Sequence, residues 1–383
     1  MEYQAARPTR VIEQRIRCSS PSVIMCETQI YTNMKHWIGI DVSKAKLDLA
    51  LSDDQGRILH EQQIANTDKA IKGIFNRWRK KYGVIKDDCL VCLEPTGHYT
   101  LTALHTLVEL ELPTWLAHPR DIQKSIGVQR GKSDAIDARR IAEYARRFKD
   151  KARLFTADSL KLEKVKHLLT LRKQLVRERK RYQLQIKDWN PCLGEELKKT
   201  FDRFAKKQVR VLEKAIREVE SMIVLELGKD QQVKRKYELV RSVPGVGPVL
   251  GAYLLATTDG FKRFLTPRAL ACQAGVVPFD YRSGTSLKSR PSVSQQADRD
   301  LKSLLHMAVL GVIQNPGDLQ DYYLRKVAEG KAKMAVINAL RNKLIHRIYA
   351  VLQRNEPYEL NYVPIHSRAA QNNPALILAN AME

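Results

Sequence analysis

The chain has 383 residues, 44% of them hydrophobic, enough for two or three domains with sizeable cores. Its 66 Lys and Arg against 42 Asp and Glu leave a net charge of +24, which points to a polyanionic partner, nucleic acid before a membrane surface. No apolar run approaches a membrane span, the longest being VLGAYLLA at 249–256, and residues 1–33 lack the apolar centre of a secretory signal. A cytoplasmic, nucleoid-associated protein with no membrane partner is expected.

Residues 1–34 read as an irregular extension, and organised sequence begins at His36. HWIGIDV, AKLDLALS and GRILHEQQIA carry strand patterns, with Asp53, Asp54 and Gly56 marking the second turn. TDKAIKGIFNRWRKKY at 67–82 has helical spacing, with Ile71, Ile74, Phe75 and Trp78 on one face. CLVCLE is a fourth strand, PTGHY a turn, LTALHTLVEL a helix and TWLAH a fifth strand. Ser133 would cap a helix over 134–148. Three strands, a helix, then alternating strands and helices is the order of an RNase H-like domain, placed at 35–148. Six cysteines are scattered along the chain (18, 26, 89, 92, 192 and 272); Cys89 and Cys92 form a lone C-x-x-C inside a strand and read as core thiols.

Residues 149–241 hold 26 Lys and Arg against 14 Asp and Glu, half of the chain's excess charge. Leu168, Leu171, Leu175 and Tyr182 make one apolar stripe; Leu212, Ile216, Val219, Ile223 and Leu227 make another. Asn190, Pro191 and Gly194 separate them. A basic helical hairpin, coiled-coil in character, is expected, serving nucleic-acid contact or a dimer strut. Residues 242–356 form a mostly helical third unit, and 357–383 an irregular tail.

Four carboxylates stand out. Asp41 and Glu94 each end a buried-strand pattern, and Asp134 and Asp137 share one helix face at i and i+3. Acidic oxygens meeting at strand ends suit two Mg²⁺ (or Mn²⁺) ions about 4 Å apart, which clamp a phosphodiester. Arg120, Lys124, Arg130 and Lys132 flank this run and would neutralise phosphates, or else sit on a solvated loop. Further on, VPGVGPVLG resembles a helix-hairpin-helix turn, whose Gly245 and Gly247 would expose backbone N–H groups to a phosphate. The loop after AGVVPFDY holds Ser283, Thr285, Ser286, Ser289, Ser292 and Ser294, interleaved with Arg282, Lys288 and Arg290. A serine there needs a base or a metal to attack a phosphodiester. No histidine lies in the loop, and His306 is on the next helix.

GIDVSK at 39–44, LEPTGHY at 93–99, KSDAIDARRIA at 132–142, VPGVGPVLG at 243–251 and AGVVPFDYRSGTS at 274–286, in this order, resemble the DEDD-type transposases of bacterial insertion sequences, which include the Piv-type DNA invertases. The resemblance runs from about residue 36 to 356. It implies α/β plus α architecture: an RNase H-like domain of the Holliday-junction resolvase type, a coiled-coil, and a mostly helical transposase domain. It implies that Asp41, Glu94, Asp134 and Asp137 are the metal-binding tetrad and that Ser283, followed by Gly284, is the nucleophile of a covalent phosphoserine link to DNA, with Ser286 in reserve. It further implies donor and target double-stranded DNA as substrates, a structured bridge RNA as guide, and a homo-oligomer, dimer or tetramer. The alternative is a metal-only junction endonuclease using the same carboxylates and water; a non-enzymatic nucleic-acid scaffold is a third reading.

Overall fold

In the computed structural model, β1 (His36–Val42), β2 (Lys46–Ser52) and β3 (Ile58–Ala65) form an antiparallel meander, as the alternating patterns predict. The structure describes residues 34–126, 134–188, 194–278, 282–283, 287–288, 293 and 297–360. The chain divides into two compact units, residues 1–156 and 157–383.

In the first unit, β4 (Cys89–Leu93) and β5 (Thr114–Leu116) join β1 in parallel, giving the sheet order β3-β2-β1-β4-β5. A meander extended by parallel strands on one side is the RNase H-like order expected from the sequence. Helix α1 (Asp68–Tyr82) starts on Thr67, whose hydroxyl accepts from the Ala70 amide, and stops at Gly83 with φ +70°. It buries Ile71, Ile74, Phe75 and Trp78, each contributing roughly 1.5–3 kcal/mol of apolar burial. Helix α2 (Thr100–Glu109) follows the Pro-Thr-Gly turn.

The fifth strand is shorter than TWLAH suggested. The His118 carbonyl accepts from Asp121 N at 2.9 Å, and its Nδ1 from Arg120 N at 3.2 Å. These bonds end the strand and start a short helix, α3 (Pro119–Ile126), that strand periodicity did not signal. Helix α4 (Asp134–Arg147) lies against β1, where Gly39 is the contact: a Cβ there would overlap the Ala138 carbonyl oxygen and the Ala142 amide. Cys89 and Cys92 are buried in the sheet, and burial pushes the Cys89 thiol up to about 12. Ordinary core packing accounts for them.

Among its described residues the second unit is helical apart from one small hairpin. Helices α5 (Ala157–Asp188) and α6 (Glu195–Gly228) pack against each other, with residues 189–193 outside the described residues. Ile216, Val219, Ile223 and Leu227 are buried as expected. On α5 the expected stripe is displaced: Leu171 is 43% exposed, Leu168 and Leu175 are only partly buried, and the buried residues are Leu162, Val165 and Leu169. That face is rotated by one position because the root of the hairpin must also pack against the next helices. Helices α7 (Gln231–Ser242), α8 (Pro248–Thr258), α9 (Pro267–Gln273), α10 (Arg299–Ile313), α11 (Asp318–Ala328) and α12 (Lys333–Arg354) complete the unit. One continuous core joins Leu162, Val165, Val219 and Leu227 to Leu254, Leu305, Leu340 and Ile348, so the hairpin root and the C-terminal helices are packed as a single body. Among the described residues no helix is long and apolar enough to cross a membrane.

Candidate active site

The first unit brings four sequence-predicted carboxylates together. β1 and β4 are parallel neighbours with Ile40 opposite Leu93, so Asp41 and Glu94 are the next residues of each strand, side by side at their C-terminal ends. α4 begins at Asp134 and carries Asp137 in its first turn. The absent side chain of Gly39 lets the turn after Asp137 sit directly on β1, two residues before Asp41.

The electrostatics record this proximity. The Asp41 carboxyl is raised above its ordinary range, first by burial, then by the negative charges of Asp134, Asp137 and Asp48. Glu94 is raised by burial, then by Asp41 and Asp137. Asp134 and Asp137 have cationic neighbours instead: Lys46 Nζ lies 3.7 Å from Asp134 Oδ2, and Arg140 donates to Asp137 Oδ1 at 2.8 Å. With those two side chains facing Lys46 and Arg140, no three His, Cys, Asp or Glu among the described residues converge closely enough to hold one metal ion. The two observations concern different ranges. The charges are near enough to perturb one another, and among the described residues no three of the oxygen-bearing side chains stand at coordination distance.

Three contributors escaped the sequence reading. Asp48 stands directly opposite Asp41 on β2, is 7% exposed, and accepts from the Gln63 amide at 2.9 and 3.1 Å. Its signal was a charge inside the otherwise apolar alternation of KLDLALS. Lys46 lies in the GIDVSK run extended by two residues, and Arg140 is three residues past Asp137, a spacing that pairs charges on a helix.

Arg120 and Lys124 are exposed on α3 at i and i+4. Arg130, Lys132, Arg290 and the reserve serine, Ser286, lie outside the described residues. Ser283 belongs to the second unit. There β6 (Arg282–Ser283) pairs with β7 (Leu287–Lys288), Ser283 opposite Leu287 and Arg282 opposite Lys288. In the VPGVG turn, Gly245 has φ +89°, and a Cβ would strike the Val312 side chain, so packing on α10 already requires glycine there. Gly247 is exposed and immediately precedes α8, with Pro248 in the first helical position.

Residues 38–189 match a family model of DEDD-type IS110 transposases, and residues 237–324 match that of the transposase IS116/IS110/IS902 family. The pilin gene-inverting protein of Moraxella bovis is 24% identical over 337 residues, covering 85% of this chain and 98% of that protein. The transposase for insertion sequence element IS1111A of Coxiella burnetii is 23% identical over 348 residues, covering 84% of this chain and 90% of its own. Among solved structures, T. thermophilus RuvC in complex with a Holliday junction substrate aligns over 31% of this chain and all of that one, at 15% identity and a TM-score of 0.25. At that score the likeness carries no argument, and the fold rests on the strand order itself.

Proposed function

We propose that the chain is a DNA recombination enzyme of the IS110 transposase type, the type of the two family models that match it, and that it cuts and rejoins DNA strands using the Asp41, Glu94, Asp134 and Asp137 carboxylates and Ser283 as nucleophile. The observation that carries this reading is the placement of Asp41 and Glu94 side by side at the ends of adjacent parallel strands, with α4 pressed onto β1 at Gly39 so that the charges of Asp134 and Asp137 raise Asp41 and those of Asp41 and Asp137 raise Glu94. Charges crowded in this way are unfavourable without a cation. The donor set, carboxylate oxygens alone, fits a hard divalent ion such as Mg²⁺ or Mn²⁺. Asp134 and Asp137 are partly exposed and free to turn from Lys46 and Arg140 towards such an ion. Bound there, the metal would supply charge neutralisation at the phosphate.

Ser283 Oγ attacks the phosphorus. One phosphate ester bond to serine forms as one bond within the DNA strand breaks, and the serine proton ends on the departing hydroxyl. Because one ester replaces another, the bond energy is retained and the reverse attack rejoins strands without an energy source. The substrate is double-stranded DNA, donor and target. The net charge of +24 supports backbone contact, and a structured bridge RNA would then supply sequence choice by base pairing. Two strands cut on two duplexes require more than one copy, a dimer or tetramer. We assign residues 35–148 as catalytic domain, 149–241 as basic hairpin and 242–356 as transposase domain.

The test is trapping of the protein–DNA adduct. Ser283→Ala should abolish the covalent adduct, and Asp41→Ala should abolish metal-dependent cleavage by any route. Full strand exchange by Ser283→Ala would replace this reading with Ser286 or with the metal-only endonuclease. Binding of RNA from the element's non-coding end no tighter than random RNA of equal length would remove the guide.

A further inference from the structure

Arg341 is 5% exposed at the centre of α12, and its guanidinium stays charged at any working pH. Nη1 donates to Asn338 Oδ1 at 3.3 Å, and Nη2 lies 2.8 Å from His306 Nδ1. Arginine has no acceptor, so that ring nitrogen accepts and His306 is neutral. Burial and then the Arg341 charge depress its pKa accordingly. Arg341 Nε is buried without any partner.

Among the described residues no carboxylate bonds Arg341, and the acids at the starts of α10 and α11 pair elsewhere. Asp298 takes the Tyr253 hydroxyl and the Leu301 amide, Asp300 pairs with Lys173, and Asp318 pairs with Arg347. Arg341 is thus a buried cation with only neutral neighbours among the described residues, an arrangement that costs several kcal/mol against an exposed one.

Its location says what the charge is for. Asn338 also donates from Nδ2 to the Val276 carbonyl at 2.6 Å, seven residues before Ser283. The excursion that carries Ser283 is closed at its base beside this bond. Asp298 N donates to Gln273 O at 2.7 Å, and Gly275, at φ +63°, leaves no room for a Cβ against Ala297. A guanidinium with a free Nε–H at the foot of a serine hairpin is suited to bidentate capture of a phosphate.

We infer that Arg341, backed by neutral His306 and Asn338, is a binding site for a backbone phosphate of the DNA strand presented to Ser283. This rests on Ser283 being the nucleophile, and the test separates the two. Arg341→Met and Arg341→Lys are compared with the full-length parent in phosphate-free buffer, then with added inorganic phosphate, then with duplex DNA. Arg341→Met should unfold at the parent's temperature or above, because an uncompensated charge is gone. Phosphate should raise the parent's midpoint and leave that of Arg341→Met unmoved. Adduct formation should fall about tenfold or more, the loss of one charge-assisted bond. Arg341→Lys keeps the charge without the fork, so it should fold and retain only part of the phosphate shift; it answers the question if the methionine variant does not fold. A lower midpoint for both variants, with an undiminished phosphate shift, would overturn the inference and make Arg341 structural. A drop in RNA binding with DNA binding intact would overturn it equally. The phosphate shift is repeated in Ser283→Ala, where it should persist. If that variant still forms adducts, the nucleophile is wrong while the Arg341 result stands by its own measurement.

Discussion

The two compact units each hold charge that their own neighbours do not neutralise, and the signs are opposite. In the first, Asp41 is raised by burial and by the charges of Asp134, Asp137 and Asp48, Glu94 by burial and by Asp41 and Asp137, and among the described residues neither has a cationic partner. In the second, Arg341 is buried against a histidine and an asparagine. A half-buried carboxyl has a way out, since it can protonate. An arginine has none, and only an anion relieves it. Under the proposed reading the acids take a cation, with a need that depends on pH, and the arginine takes an anion, with a need that does not.

The largest effect expected is on cleavage. Asp41→Asn should lower metal-dependent cutting by ~10³-fold or more, the several kcal/mol that a metal site contributes to the barrier. The same variant should be at least as stable as the parent in metal-free buffer, because it removes a repelled charge. A clear loss of stability there would break the comparison by showing that Asp41 is held by favourable contacts. Gly39→Ala comes next. Its new methyl meets backbone on α4, which must move, at about 3 kcal/mol or more by denaturant unfolding. Helix and carboxylates would shift together, so cleavage should fall even under conditions where the variant is folded.

Mg²⁺ should raise the unfolding midpoint of the parent, by about 2.7 kcal/mol at a hundredfold excess over its dissociation constant. The sign with pH follows from the raised carboxyls. A group whose folded pKa lies above its unfolded value favours the folded state below the unfolded pKa, and loses that contribution as pH rises through the folded one. Without metal, the acid cluster therefore weighs against folding at neutral pH. The Mg²⁺ shift should be full there and should fade as the pH falls through the raised values. An equal shift at acid and neutral pH would place the metal elsewhere.

Much of this was legible because the sheet follows period-2 patterns and the tetrad sits where those patterns end. Asp41, Glu94, Asp134 and Asp137 needed only strand and helix registers to be drawn together. What was not legible depends on distance across the fold. Gly39 reads as one glycine of a motif until α4 is seen to cross it. Arg341 reads as one cation among 66 Lys and Arg until its burial and its missing carboxylate are known. The stripe on α5 shifted by a position because periodicity fixes a helix's apolar arc but not which part of the arc meets a third helix. Short helix α3 was invisible because it depends on His118 capping, not on any repeating pattern.

The smallest effect tests whether acid and base in the second unit have different roles. Asp298 begins α10 by accepting from Leu301 N at 2.9 Å, and both of its oxygens take the Tyr253 hydroxyl at 3.0 Å. Burial, then the Asp298 charge, hold the Tyr253 hydroxyl protonated well beyond its usual range, so it remains a donor. Asp298→Ala orphans a helix-end amide and a partly buried hydroxyl, costing about 1–2 kcal/mol in denaturant unfolding. Asp298→Asn keeps one acceptor oxygen, with lone pairs for both the Leu301 amide and the Tyr253 hydroxyl, and should recover most of that. Neither change touches Arg341, so the phosphate shift should survive in both. Asp298 would then hold the base of the serine hairpin, while Arg341 would hold what the hairpin receives. Loss of the phosphate shift in Asp298→Ala would mean that the anion site depends on the hairpin base being closed, making the two residues one coupled element.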